Sequence, residues 1–244
     1  MSQFLQSLAD NAAFLLACLA VFAGLILIAW AAERFFLPSH RKLSPARTVS
    51  FVAIFAALGG ALMFFEIPLF FAPSFYEMDL SELPVLICTF YLGPVAGVVC
   101  EFLKVIIKLL LKGTSTAFVG DFANFAVGCA MVLPASILYH LHKSKKMALV
   151  GLAVGTLVMT VFGSAFNAYF LIPKFAELFH MPLDAIVAMG TEVNGAIHSV
   201  GTLVLFAVVP FNLLKGVVIS ALTLVLYKRV ERLFFHQRQV QVQS

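Results

Sequence analysis

Pro210-Phe211-Asn212-Leu213-Leu214-Lys215 lies between two runs that carry no charge, Gly201 to Val209 and Gly216 to Leu226. A lysine at the centre of a membrane helix costs about 2.5 to 3.5 kcal/mol, so Lys215 needs a partner or a purpose. Pro210 has a fixed φ and no N–H to donate, which suits a first helical turn. The stretch therefore predicts a new helix from here to about Tyr227. Asn212 and Lys215, three apart, then share a face near unpaired helix N-terminal N–H groups, giving a cluster of donors and one amide carbonyl. The alternative is a kinked helix whose lysine snorkels to the surface.

The surroundings decide the class. Of 244 residues, 62% are hydrophobic and 11% charged, and the mean hydropathy is +1.02. These values exclude a soluble domain and indicate an all-α integral membrane protein set in a lipid bilayer. The formal charge of +4 comes from basic residues in short blocks between hydrophobic runs. That pattern reports topology and implies no nucleic acid partner. Cys18, Cys88, Cys100 and Cys129 fall in or beside apolar runs without metal-ligand spacing, so neither a metal site nor a disulfide framework follows.

In chain order, Asn11 to Ala32 is long enough to span, and Glu33-Arg34 and the basic linker His40-Arg41-Lys42 follow it. The next span, about Thr48 to Phe65, carries Ala53, Ala57 and Ala61 at intervals of four, a smooth stripe on which another helix can approach closely, and the pattern alone favours a neighbour within the same protein as that helix. Glu66 to Leu80 is broken by Pro68 and Pro73 and holds Phe70, Phe71 and Phe75, so it reads as an outer loop able to lie over an apolar ligand. Asp79 followed by Glu82 reads as a capping box. Glu101, Lys104 and Lys108 share a helix face and can pair internally, and Asp121 reads as a helix cap. Asn167 lies near the far end of a span from Met147 to about Tyr169. Leu171 to Val209 reads as a loop with short helical pieces.

Charge sets the orientation. The linker, the 140–146 loop and the C-terminal tail together hold eleven of the 16 Lys and Arg residues, whereas the proposed outer loops hold only Lys112 and Lys174. This places the N-terminus outside and the C-terminus in the cytoplasm. Asn167 then stands about 30 Å along its helix from Met147 and Lys215 about 18 Å above Tyr227, at 1.5 Å per residue. Both belong to the outer half of the membrane, and the pocket faces outward.

Four groups of residues now point to a family. They are Pro210-Phe211-Asn212-Leu213-Leu214-Lys215-Gly216; Glu66-Ile67-Pro68-Leu69 with Met78-Asp79-Leu80-Ser81-Glu82-Leu83-Pro84; Gly113-Thr114-Ser115-Thr116 with Val119-Gly120-Asp121-Phe122-Ala123-Asn124-Phe125; and Asn167-Ala168-Tyr169 with Ile172-Pro173. In order and spacing, over about Thr48 to Arg229, the chain resembles the riboflavin-specific S components (RibU family) of energy-coupling factor (ECF) transporters. The resemblance implies a six-helix bundle over 47–230 that captures riboflavin from outside a prokaryotic cell membrane. It implies delivery together with a transmembrane coupling protein and two ATPase subunits, and no cofactor. It also implies that Asn167, Asn212 and Lys215 read the isoalloxazine ring and that Ala53 and Ala57 dock on the coupling protein. Amides match the alternating donors and acceptors of a flavin's pyrimidine edge, a lysine suits its electron-rich carbonyl or ring nitrogen, and Phe70, Phe71 and Phe75 can cover the ring faces. Residues 1–46 depart from the pattern as an additional N-terminal helix and cytoplasmic linker; 231–244 form a cytoplasmic tail.

Other classes lack their cues. No Gly-Lys dipeptide occurs, so the chain has no Walker A loop, and neither HExxH nor GxSxG is present to support an enzyme. An autonomous ion-coupled secondary transporter would show paired broken helices in two related halves, and the sequence shows one break, at Pro210. The remaining alternative is an S component for another vitamin or a flavin analogue.

Overall fold

The structure is a computed structural model that describes residues 12–37, 44–73 and 76–240. Linker residues 38–43 and Phe75 lie outside the described residues.

Helix α1 (Ala12–Phe35) runs beside the bundle, and α2 (Pro45–Leu62) enters it with Pro45 in its first turn. Two-residue strands β1 (Ile67–Pro68) and β2 (Glu77–Met78) pair antiparallel, with Ile67 opposite Met78 and Pro68 opposite Glu77. Short α3 (Glu82–Leu92) turns through Gly93, at φ +111°, into α4 (Pro94–Lys112). Helix α5 (Val119–Leu141) follows. Ser144 then caps α6 (Lys145–Phe166) by accepting the Met147 N–H. Beyond it come α7 (Ile172–Leu178), α8 (Leu183–Val193), α9 (Val200–Leu203) and α10 (Val209–Val240). Among the described residues, five helical segments are long and apolar enough to cross a membrane: Ala12–Phe35, Pro45–Leu62, Val119–Leu141, Lys145–Leu178 and Val200–Arg229. With their apolar composition they make the chain an all-α membrane protein.

Pro210 does not begin a helix. The chain arrives already helical from Val200 and passes through a π-turn, Val204–Val208, in which the Val209 N–H reaches back five residues to the Val204 carbonyl. A proline in an ordinary helix loses one bond and presses its ring on the carbonyl four residues back, and a π-turn just before it loosens that register. The same device stands at Pro173. There the π-turn Asn167–Leu171 carries α6 into α7, with the Ile172 N–H bonded to the Asn167 carbonyl. The expected loop from Leu171 is thus largely helical, and the expected single break is one of two. The two π-turns touch.

One core cluster joins α2, α3, α4, α5, α6 and α10 through residues such as Phe55, Leu86, Met131, Leu152 and Ile219. A second, at the hairpin end, gathers Tyr76, Met78, Ile172, Ile197, Leu203 and Phe211. Helix α1 packs along α4 and α5: Phe22 stacks on Phe102 at 4.2 Å between ring centroids, and Phe14 meets Phe122 edge-on. At its other end, Glu33 Oε1 accepts the Val95 N–H at 2.9 Å, filling one of the orphan donors at the start of α4. Gly93 leaves room for this, because a Cβ there would lie 2.7 Å from that oxygen.

Candidate functional site

A cavity opens between the hairpin, the start of α5, the π-turn after α6, and α10. Asn167, Asn212 and Lys215 all line it, although 48 positions separate Asn167 from Lys215. Tyr76, Phe211, Leu171 and Phe175 supply apolar wall; Glu77, Asp79, Glu82 and Asn124 supply further polar groups.

Lys215 does not snorkel. It is 8% exposed, and its Nζ lies 3.1 Å from Asp79 Oδ2 and 3.1 Å from Glu82 Oε2. Glu82 Oε1 in turn meets Lys104 Nζ at 3.0 Å, and Lys104 also reaches Glu101 at 2.6 Å and donates to Ser81 Oγ at 2.8 Å. The result is a buried chain of alternating charge from the cavity into the seam between α3 and α4. Burial opposes the charge on Asp79, but the ammoniums of Lys215 and Lys104 hold its carboxyl well below the usual carboxylate range, with help from the Ser81 hydrogen bond.

Asp79 and Glu82 therefore do not form a capping box. Asp79 Oδ1 accepts the Ser81 N–H at 2.8 Å, while the helix's N-cap, Ser81, makes no side-chain capping bond and Glu82 turns toward the lysines. Asp121 likewise spends its Oδ1 on Lys108, at 2.5 Å, instead of on helix N–H groups. Of the α4 charges, only Glu101 and Lys104 pair within their helix. A signal for Asp79 and Glu82 existed. A lysine at membrane depth calls for a carboxylate, and these two acids sit just before and at the start of an apolar helix.

The amides differ from each other. Asn167 accepts from the Tyr76 hydroxyl at 2.8 Å and donates to the Gly163 carbonyl at 2.8 Å, so the hairpin segment is pinned to the π-turn. Burial pushes the Tyr76 phenol up, which keeps it a donor. Asn212 is 4% exposed, and its Nδ2 finds no hydrogen-bond partner among the described residues; Asn124 Oδ1 is in the same position. One buried donor and one buried acceptor thus stand at the cavity wall with their capacity unspent, which is how a polar ligand is read. Gly163 allows the approach of Asn212, since a Cβ there would lie 3.0 Å from Nδ2.

Phe71 packs into the hairpin-end core, and Phe70, 93% exposed, meets it edge-on. Neither lines the cavity, and Phe75 lies outside the described residues. Ala53, Ala57 and Ala61 are exposed along α2, whereas Gly59 and Gly60 face α4. The small-residue stripe is not consumed by packing inside the bundle.

The family described as "ECF transporter, substrate-specific component" matches this chain over residues 47–227. The chain belongs to that family. Among similar proteins, the riboflavin transporter RibU of Staphylococcus aureus (strain TCH60) is 31% identical over 193 residues, covering 78% of this chain and 95% of its own. The riboflavin transporter FmnP of Bacillus subtilis (strain 168) is 27% identical over 192 residues, covering 78% and 95%. A solved S component of a bacterial ECF transporter superposes with a TM-score of 0.61 at 28% identity, over 78% of this chain and 98% of that one. The substrate-specific component described here thus has transporter subunits, not enzymes, as its relatives. Its α1 precedes the matched range.

Proposed function

We propose that this S component binds riboflavin in the cavity beneath the hairpin and delivers it inward with a transmembrane coupling protein and two ATPase subunits. The observation that carries the reading is the convergence of Asn167, Asn212 and Lys215 on one cavity, in a chain 31% identical to a riboflavin transporter. Asn212 Nδ2 donates to a ring carbonyl and Asn124 Oδ1 accepts from the ring N–H, so both orphaned atoms are satisfied by the ligand. Lys215 has three donors and two carboxylate partners, which leaves one for the ring. Asn167, already engaged by Tyr76 and Gly163, sets the depth of the ring. Phe70, Phe71 and Phe75 belong to the segment that covers it. The exposed Ala53 and Ala57 on α2 form the docking stripe for the coupling protein. The basic blocks support an outside N-terminus, a cytoplasmic C-terminus and a cavity open to the outside of the cell.

Mass spectrometry of the small molecule released from purified protein tests the substrate. Riboflavin is the expected species. A different vitamin in its place overturns the assignment.

A further inference from the structure

One wall of the cavity is shared by two elements: Ala123 and Asn124 come from the start of α5, and Asn167 and Leu171 from the π-turn after α6, with Phe175 just beyond on α7. A π-turn is a local widening of a helix, so its place in the wall depends on what packs against it. Tyr76, which lines the cavity, holds Asn167. A second hold comes from α1, which precedes residues 47–227, the range over which the chain matches its family. Phe14 meets Phe122 of α5 edge-on at 5.8 Å between ring centroids and lies nearly parallel to Phe170 of the π-turn at 6.5 Å. Phe170 in turn stacks on Phe166 at 4.9 Å and meets Phe122 at 6.4 Å. Phe14, Phe166 and Phe170 share one apolar cluster with three residues of the cavity wall, Ala123, Leu171 and Phe175. Phe14 itself does not line the cavity.

We propose that Phe14 is a positioning residue for the flavin: without touching the ligand it clamps the seam between α5 and the π-turn, and so sets Asn124 and Asn167 at the spacing the ring requires. The proposal rests on the flavin reading above. Close-packed side chains pass a displacement on to their neighbours, so a ring removed at Phe14 loosens Phe122 and Phe170 together, and with them the two elements that carry the amides. A wall held in place before the ligand arrives leaves less to be ordered on binding, which favours affinity. The rest of α1 supplies a contrast. Phe22, farther along the helix, stacks on Phe102 and packs in a cluster with Val98, Phe125 and Leu133, none of which lines the cavity. Phe14 and Phe22 both dock α1, and only Phe14 reaches the wall.

Equilibrium and stopped-flow fluorescence quenching by the ligand-free full chain in lipid nanodiscs compare riboflavin binding by wild type, Phe14→Ala and Phe22→Ala. Phe14→Ala should weaken binding roughly two- to ten-fold, the factor one aromatic contact is worth, and mainly through faster release. Phe22→Ala should lower the thermal midpoint and leave affinity and release unchanged. Phe14→Tyr, which keeps the ring, should bind as wild type does. Phe14→Leu, which keeps apolar bulk without the ring, should show a smaller loss in the same direction and reads the effect if Phe14→Ala fails to fold. Wild-type affinity and release in the Phe14 truncations, or an equal loss in Phe22→Ala, overturns the proposal and leaves α1 a stabilising strut. Failure of wild type to bind riboflavin overturns instead the reading on which the proposal rests.

Discussion

Lys215 Nζ donates to Asp79 Oδ2 at 3.1 Å across 136 positions of sequence, tying the last span to the segment that precedes α3. Through Glu82 the same lysine is linked to Lys104 and Glu101, so the floor of the cavity and the seam between α3 and α4 are one electrostatic unit. Cavity wall and fold share that lysine.

Lys215→Met removes the ammonium and keeps the length, leaving the buried Asp79 charge without its ion-pair partner. Breaking a buried pair from one side costs about 3 to 5 kcal/mol, so the thermal midpoint should fall clearly, and Lys215→Met/Asp79→Asn should regain part of the loss. A single variant as stable as wild type, or more stable, would support snorkelling instead.

The hydrogen bond from Tyr76 to Asn167 holds the hairpin segment to the π-turn. Asn167→Ala should weaken riboflavin binding by about 1 to 3 kcal/mol, and Tyr76→Phe should weaken it less, by about 0.5 to 1.5 kcal/mol, since it removes one neutral bond. Isothermal titration of both variants checks the order. A larger loss for Tyr76→Phe than for Asn167→Ala would contradict it.

Much of this was legible from residue type and spacing. Apolar runs separated by basic blocks announced a membrane bundle, and three polar residues in otherwise apolar spans, Asn167, Asn212 and Lys215, announced the pocket. The partners of Lys215 were not legible, because local spacing offered Asp79 and Glu82 a complete alternative role as a cap. The contact that overrides it lies 136 positions away. The π-turns were hidden for a related reason. Pro173 and Pro210 carry the same local signal whether a helix starts there or a preceding turn widens to admit the ring, and only packing at the hairpin end decides between them.

Glu33 reaches from α1 to the first turn of α4. Glu33→Ala withdraws a side-chain acceptor from a helix N-terminus, a change worth about 0.5 to 2 kcal/mol. Scanning fluorimetry should show that loss while riboflavin affinity stays at the wild-type value. Undiminished stability would mean that the contact contributes nothing to the docking of α1.

Ala57→Trp places bulk on the exposed stripe of α2, at a residue that does not line the cavity. Riboflavin binding should persist while ATP-driven uptake into cells or proteoliposomes is lost, because close helix approach is blocked. Uptake at the wild-type rate would remove Ala57 from the docking surface.

The most direct measurement is a riboflavin titration, followed by quenching of flavin fluorescence, of ligand-free wild type beside Asn212→Ala. Asn212 Nδ2 has no hydrogen-bond partner among the described residues, so the substitution breaks no bond of that atom and isolates its use by a ligand. Wild type should bind saturably at one flavin per chain, and Asn212→Ala should bind more weakly by about 1 to 3 kcal/mol, roughly five-fold to more than a hundred-fold. Identical affinities, or no saturable binding by wild type, would contradict the assignment of this cavity to riboflavin.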